Sequence, residues 1–280
     1  TDERDKATWK ASGLACVDGA LYLSVSRHAF PNFFHSWSDT FDASILISRD
    51  HGRTWSPKPD LGKPMFRGRL FSNPFFVQYG RDGAGTKDGA DRYVYAVSND
   101  GTWNNGNFMT LGRVPRDRIA RLDGADWEFV HGFDKQGKPF WGARHDIARP
   151  VFRSPGRTGM TGVQFIEPLG LYVMPLWHYS SLDEYVPAAG EDGAYLADQP
   201  EAERKKRWRA TRFEFYQAAF PWGPWRLFHS YDSVPEAFYN PCILPKFVSD
   251  GGRSLWIVVA GGFDDLRTYY PQVIPVTLET

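Results

Sequence analysis

Hydrophobic positions along this chain fall in short apolar runs separated by clusters of Gly, Pro, Asp and Asn, a pattern of strands and tight turns. The order begins in GLACVDGALYLSVSR, where an apolar strand, a turn and a second strand ending in polar residues precede a long loop and then ASILISRDHGRTWS. It returns in NPFFVQYGRDGAGTKDGADRYVYAVSNDG with NFMTLGRVPRDRI and ADWEFVHGF. A third copy is GVQFIEPLGLYVMPLWHY with RATRFEFYQAAFPWGPWRLFHSY, and a fourth is NPCILPKFVSDGGRSLWIVVAGG with QVIPVTLET. Four such units at irregular spacing predict an all-β propeller of blade-like sheets. The fourth unit shows three strands, and Thr8-Trp9-Lys10 precedes the first as an extended piece that could complete it. Closing the ring in that way would remove unpaired sheet edges. The whole of 1–280 reads as one domain, with a long insertion over 180–209 where AERKKRWRA could form a short basic helix and the segment could wall a pocket.

Composition narrows the partners. Aromatics make up 16% of the 280 residues, with 11 Trp and 13 Tyr, which suits blade packing and also stacking on sugar rings. Lys and Arg total 33 and Asp and Glu total 33, so no net field attracts nucleic acid or an anionic membrane. No run reaches the roughly 20 apolar residues of a membrane-spanning helix. A secreted or periplasmic location is expected, although the chain as given opens without a signal-peptide core. Cys16 and Cys242 have no metal-ligand spacing and read as two buried thiols or as one bridge between the first and last units.

Ser48-Arg49-Asp50-His51-Gly52-Arg53-Thr54-Trp55 fits the pattern S-x-D-x-G-x-T-W. It resembles the hairpin signature of sialidase-type propellers, in which the turn lies at the end opposite the ligand. Asp50 can bond following amides and Gly52 can take positive φ. Trp55 is expected between sheets, with Trp55→Ala costing about 3 kcal/mol or more. Pro221-Trp222-Gly223-Pro224-Trp225 holds the corresponding place in the third unit. With SRDHGRTWS, the stretches GLACVDGALYL, SNDGTWNNGNFMTLGRVPRDRI, ADWEFVHGFDKQGKPFW, RPVFRSPGRTGMTGVQF and PWGPW resemble the DUF4185 family of bacterial and fungal propellers. That resemblance implies a five-bladed propeller related to carbohydrate-active enzymes, some of them endo-D-arabinanases. The chain lacks the early TWADDG-like acidic stretch of arabinan-cleaving members.

If the Asp50 turn marks the lower end, the upper end is built by loops after each second strand and by segments leading into each first strand. These places concentrate Arg27, His28, His35, Asp39, Asp42, Arg67, Asn73, Asp264, Asp265 and Tyr239 among others. Glycoside hydrolysis needs two carboxyl groups flanking the scissile bond. Asp100, ending an apolar strand in Ser98-Asn99-Asp100-Gly101, is the first candidate, although it equally suits an Asp-Gly turn. Glu236 is the candidate acid. His28 and His178 stand at equivalent strand ends and, with Tyr179 nearby, could instead abstract a proton beside a uronate carboxylate, as in a polysaccharide lyase. Arg69, Arg149 and Arg153 are candidate carboxylate binders, Trp103 and Trp177 candidate stacking surfaces, and Asn105 and Asn240 candidate hydroxyl binders. No zinc, phosphate-loop or dinucleotide motif is present, and no cofactor is implied. The expected partner is an oligo- or polysaccharide bound by a monomer. The reading is a glycoside hydrolase of a microbial or plant polysaccharide, with a lyase or a non-catalytic sugar-binding propeller as alternatives.

Overall fold

A computed structural model describes residues 7–29, 39–60, 62–80, 83, 92–179, 211–233, 238–261 and 270–278. His35, Glu236, Asp264, Asp265 and the 180–209 insertion lie outside these residues. Within them the chain is all-β, and the four sequence units become four antiparallel meanders. The first joins β1 (Ala7–Val17), β2 (Ala20–Ala29), β3 (Asp39–Ser48) and β4 (Phe66–Arg67) in that order. The second joins β5 (Phe75–Gln78), β6 (Tyr93–Asn99), β7 (Gly106–Pro115), β8 (Glu128–Phe133) and β9 (Pro139–Gly142), with β10 (Phe152–Thr158) added against β7. The third runs β11 (Val163–Ile166), β12 (Leu171–Tyr179), β13 (Thr211–Ala218) and β14 (Arg226–Ser233). The fourth is β15 (Tyr239–Ile243), β16 (Ser254–Ala260) and β17 (Gln272–Thr277).

The first strands of the units stand side by side: β5 pairs with β11 in parallel through Val77 with Val163 and Gln78 with Gln164, β1 lies against β5, and β15 lies against β11. Each meander then walks outward, as blades do in a propeller. Thr8-Trp9-Lys10 does not complete the fourth unit. It is the start of β1, with Trp9 opposite Arg27 and Lys10 opposite Ser26. The apolar alternation seen from Gly13 onward simply begins late, because the upper half of β1 faces a seam of hydroxyl side chains.

Three cores fill the spaces between successive units, which explains why strands such as β6 and β12 are buried on both faces. Between units one and two, Phe66, Phe71, Trp127 and Phe129 meet edge to face, with Phe66 and Phe71 ring centres 5.0 Å apart and Phe66 and Trp127 5.4 Å apart. Such geometry adds roughly 0.5–1.5 kcal/mol per pair beyond area burial. Above this core the seam turns polar: Ser26 Oγ donates to Asn73 Oδ1 at 3.0 Å, and Ser98 Oγ accepts from Asn73 N at 3.0 Å.

Residues 49–55 form the β3 to β4 turn, closed by reciprocal bonds between Ile47 and Ser56. Asp50 accepts from Thr54 Oγ1 at 2.6 Å, Thr54 N at 2.9 Å and Ser48 Oγ at 2.7 Å. The Thr54 hydroxyl, the Thr54 amide and the Ser48 hydroxyl together hold its carboxyl down at about 2. The turn therefore keeps its full strength above the unfolded carboxylate value near 3.8 and loosens as pH falls toward 2. Trp55 is only half-buried; it folds back over its own turn, and its Nε1 donates to Gly52 O at 3.1 Å. This corrects the expectation of a ring packed between sheets. Trp55→Ala should cost about 1–2 kcal/mol, measured by denaturant unfolding, because it leaves an open notch rather than an enclosed cavity. Cys16 and Cys242 form no disulfide with each other, and Cys16 is half-buried and Cys242 exposed, so neither two buried thiols nor a bridge is found.

Candidate functional site

The end opposite the Asp50 turn is assembled around the β6 to β7 turn, residues 99–106. Asn99 fixes its start: Nδ2 reaches Thr158 O at 3.1 Å, and Oδ1 accepts from Gly101 N at 3.2 Å. Gly101 has φ of +81°, and a Cβ there would stand 2.5 Å from Thr40 O. That close approach lets Thr40 N donate to Gly101 O at 2.7 Å, which ties the first unit's upper loop to the second's. Asp39 pairs with Thr102 in an isolated bridge, and Arg69 closes the junction through Asp39 at 3.0 Å and Thr102 Oγ1 at 3.4 Å.

Asp100 belongs to this turn. One carboxylate oxygen accepts from Asn107 N at 3.0 Å and Asn107 Nδ2 at 2.8 Å, and the other accepts from Thr102 N at 3.3 Å. These bonds set the path that presents Trp103. The half-buried Trp103 ring lies over an aromatic floor, with centroids 5.1 Å from Trp177, 6.4 Å from Tyr179 and 4.7 Å from Tyr239. Trp177 and Tyr179 are fully buried, whereas Tyr239 is half-buried like Trp103. Trp177 Nε1 donates to Met160 O at 2.7 Å, and Met160 N returns a bond to Trp103 O at 3.1 Å. Asn105 binds the same wall: Nδ2 donates to Gly156 O at 2.9 Å and to Tyr179 O at 3.3 Å, while Oδ1 accepts from Tyr179 N at 3.4 Å. Asn240 adjoins Tyr239 with φ of +54°.

The structure thus brings Arg69, Asp100, Trp103, Asn105, Trp177 and Tyr179 to one end, with Asn240 beside them. Other sequence candidates lie elsewhere or serve the framework. His178 is fully buried on β12 opposite Arg212, between two members of the aromatic floor. His28 is buried on β2 opposite Thr8 and Thr40. Burial, and secondarily the nearby Lys10 ammonium, push the His28 imidazole down to about 3, so it is neutral and a weak base at physiological pH. Arg149 is exposed, with its backbone N on Val130 O at 2.7 Å, and exposed Arg153 lies 5.6 Å from the Phe108 ring. Arg144 and Asp146 close on each other, and His145 Nε2 shares a bond with Arg67 O at 2.8 Å.

Three residues gain weight from the structure. Asp39, at 17% side-chain exposure beside Arg69, is a carboxylate at the junction of two upper loops. Tyr239 completes the aromatic surface; its Tyr-Asn-Pro repeats the Ser-Asn-Pro of 72–74, a signal available in the sequence. Glu214 is buried on β13, taking the Tyr216 hydroxyl at 2.9 Å and facing Arg212 Nε at 3.4 Å. Burial and the Glu214 partner raise the Tyr216 phenol to about 12, so this pair is a donor and an acceptor held within the seam between units two and three. Among the described residues no cluster of His, Cys, Asp and Glu could hold a metal ion.

Neither a protein-family model nor a curated protein sequence matches the chain. Solved structures do resemble it. A "putative hydrolase" from Bacteroides ovatus ATCC 8483 superimposes with a TM-score of 0.52 and 13% identity over 99% of this chain and 64% of its own. The xylan beta-1,4-xylosidase of Bacillus halodurans C-125 gives 0.47 at 10% identity, over 98% of this chain and 42% of its own. Fructan 1-exohydrolase IIa of Cichorium intybus gives 0.48 at 8% identity, over 100% of this chain and 45% of its own. The chain therefore spans less than two thirds of the length of each of these proteins. What is shared with the Bacteroides ovatus protein is the all-β arrangement of several meander sheets.

Proposed function

We propose that this chain is a carbohydrate-active propeller of the glycoside hydrolase kind that acts on a microbial or plant polysaccharide. The observation that carries the reading is the convergence of half-buried Trp103 and Tyr239, backed by buried Trp177 and Tyr179, with the Arg69 and Asp39 pair on the same interlocked loops. Flat rings cover the C–H faces of a sugar, while guanidinium, carboxylate and amide groups take its hydroxyls. Asp39 is the carboxylate we assign to chemistry, and Asp100 is a second carboxylate in the turn beside it. Five blades and kinship to DUF4185 belong to the same reading, on the motifs quoted above. An exported monomer also fits, since a polysaccharide is too large to enter a cell intact.

One observation favours a second reading, a sugar-binding propeller without catalysis. Both Asp100 oxygens are already taken by turn donors, which suits a residue that orients Trp103 more than one that shuttles a proton. The readings separate in an assay of polysaccharides for new reducing ends and for unsaturated products. Hydrolysis predicts reducing ends alone, and Asp39→Asn should lower turnover by roughly a hundredfold or more while retaining ligand binding. Unsaturated products would assign a lyase. Binding without either product would leave the recognition module.

A further inference from the structure

A different part of the molecule carries an ordered aromatic array. At the end shared with the Asp50 turn, the β13 to β14 hairpin projects Phe220 and Trp222 beside the lower part of β9. Phe220 is 51% exposed and stacks on Trp222 with 5.1 Å between ring centres and an interplanar angle of 5°. Trp222 in turn meets Trp141 edge-on at 6.4 Å and 83°. Behind them the Arg113 guanidinium is clamped, its carbon 3.9 Å from the Trp141 ring centre and 4.1 Å from that of Tyr93. Arg113 also bonds Glu128 at 2.8 and 2.9 Å, so its charge is cancelled locally. The result is a rigid platform whose one charged component is neutralised from below.

We propose that the Phe220–Trp222 pair is a second saccharide-binding platform for a neutral stretch of the same polymer, remote from the Trp103 surface. The proposal takes its ligand from the functional reading above but rests on separate residues. Parallel, pre-oriented rings offer a flat face with little conformational entropy to lose, which suits a pyranose or furanose ring. The cancelled charge favours a neutral sugar over an ionic partner. A polymer held at one end of the propeller is also present at high effective concentration near the other.

Affinity electrophoresis of the full chain in gels containing xylan, arabinan or fructan tests this, with Phe220→Ala, Phe220→Tyr and Trp103→Ala run beside the parent. Phe220 is a turn-tip side chain, so its removal should leave the fold intact, as circular dichroism can check. The expected result is about fivefold weaker retention for Phe220→Ala, parental retention for Phe220→Tyr, and unchanged binding of a short soluble oligosaccharide by both. Undiminished retention of Phe220→Ala alongside lost retention of Trp103→Ala would overturn the platform and leave the functional reading standing. Loss with Phe220→Ala but not Trp103→Ala would do the reverse. No retention of the parent on any of the three polymers would overturn both.

Discussion

Trp177→Ala should destabilise the protein by about 3–5 kcal/mol, the usual range for removing a buried aromatic ring. The ring is fully buried among Trp103, Tyr179 and Tyr239, and it supplies the donor for Met160 O. The chain has closed around it: a Cβ on Gly159 would stand 2.5 Å from Trp177 O and 2.7 Å from the indole. Collapse into the vacated space is therefore limited, and an orphaned carbonyl adds to the loss. At roughly 2–4 °C per kcal/mol for a domain of this size, a calorimetric scan should show the melting temperature lowered by about 6–20 °C. The same substitution removes the floor beneath Trp103, so sugar binding should weaken even well below the melting temperature. A variant melting within about 2 °C of the parent would contradict the packing described for this end.

The second large effect concerns acid. His28 has a folded value of about 3 against 6.5 unfolded, so the unfolded chain binds a proton over that interval and the folded chain does not. Its contribution to stability is complete above pH 6.5 and is lost progressively as pH falls toward 3. At about 1.4 kcal/mol for each tenfold change, the loss is on the order of 5 kcal/mol across the interval. Urea unfolding at pH 7, 5 and 4 should show the decline. His28→Gln removes the titration and should flatten the profile between pH 7 and 5. A parent profile already flat there would show that His28 is not held neutral by burial beside Lys10.

The four meanders were legible because turn chemistry is local. Asp50, Gly52 and Thr54 lie within five residues and close their own bonds, and the hairpin holding Trp222 and Trp225 stands at the corresponding place of the third meander. What was hidden depends on contacts between units. The Phe213-Glu214-Phe215-Tyr216 alternation suggests a strand with one wet face, yet Glu214 is buried because β10 of the second unit lies against that face, while Phe213 and Phe215 face the core shared with the fourth unit. Trp9 reads as a piece apart from the first unit because hydroxyl and amide side chains, which carry no apolar signal, line the upper part of its seam. Asp100 was readable as either a rim carboxylate or a turn residue, and only the positions of Asn107 and Thr102 reveal where its oxygens are used. Asp39 opens β3 and Arg69 follows β4, and their pairing follows from the bond between Thr40 and Gly101 rather than from any spacing.

On the proposed function, the Trp103 and Tyr239 surface receives the sugar. That role is tested most directly by following the indole N–H signals of the 11 tryptophans by NMR while a short oligosaccharide, chosen from the polysaccharide the protein acts on or binds, is added. Trp103→Phe identifies the Trp103 signal by its disappearance. A progressive, saturable shift of the Trp103 indole is expected, with Trp177 following as its edge-to-face neighbour and Trp55 at the far end unmoved. A saturable shift confined to other tryptophans, with Trp103 unchanged, would contradict it.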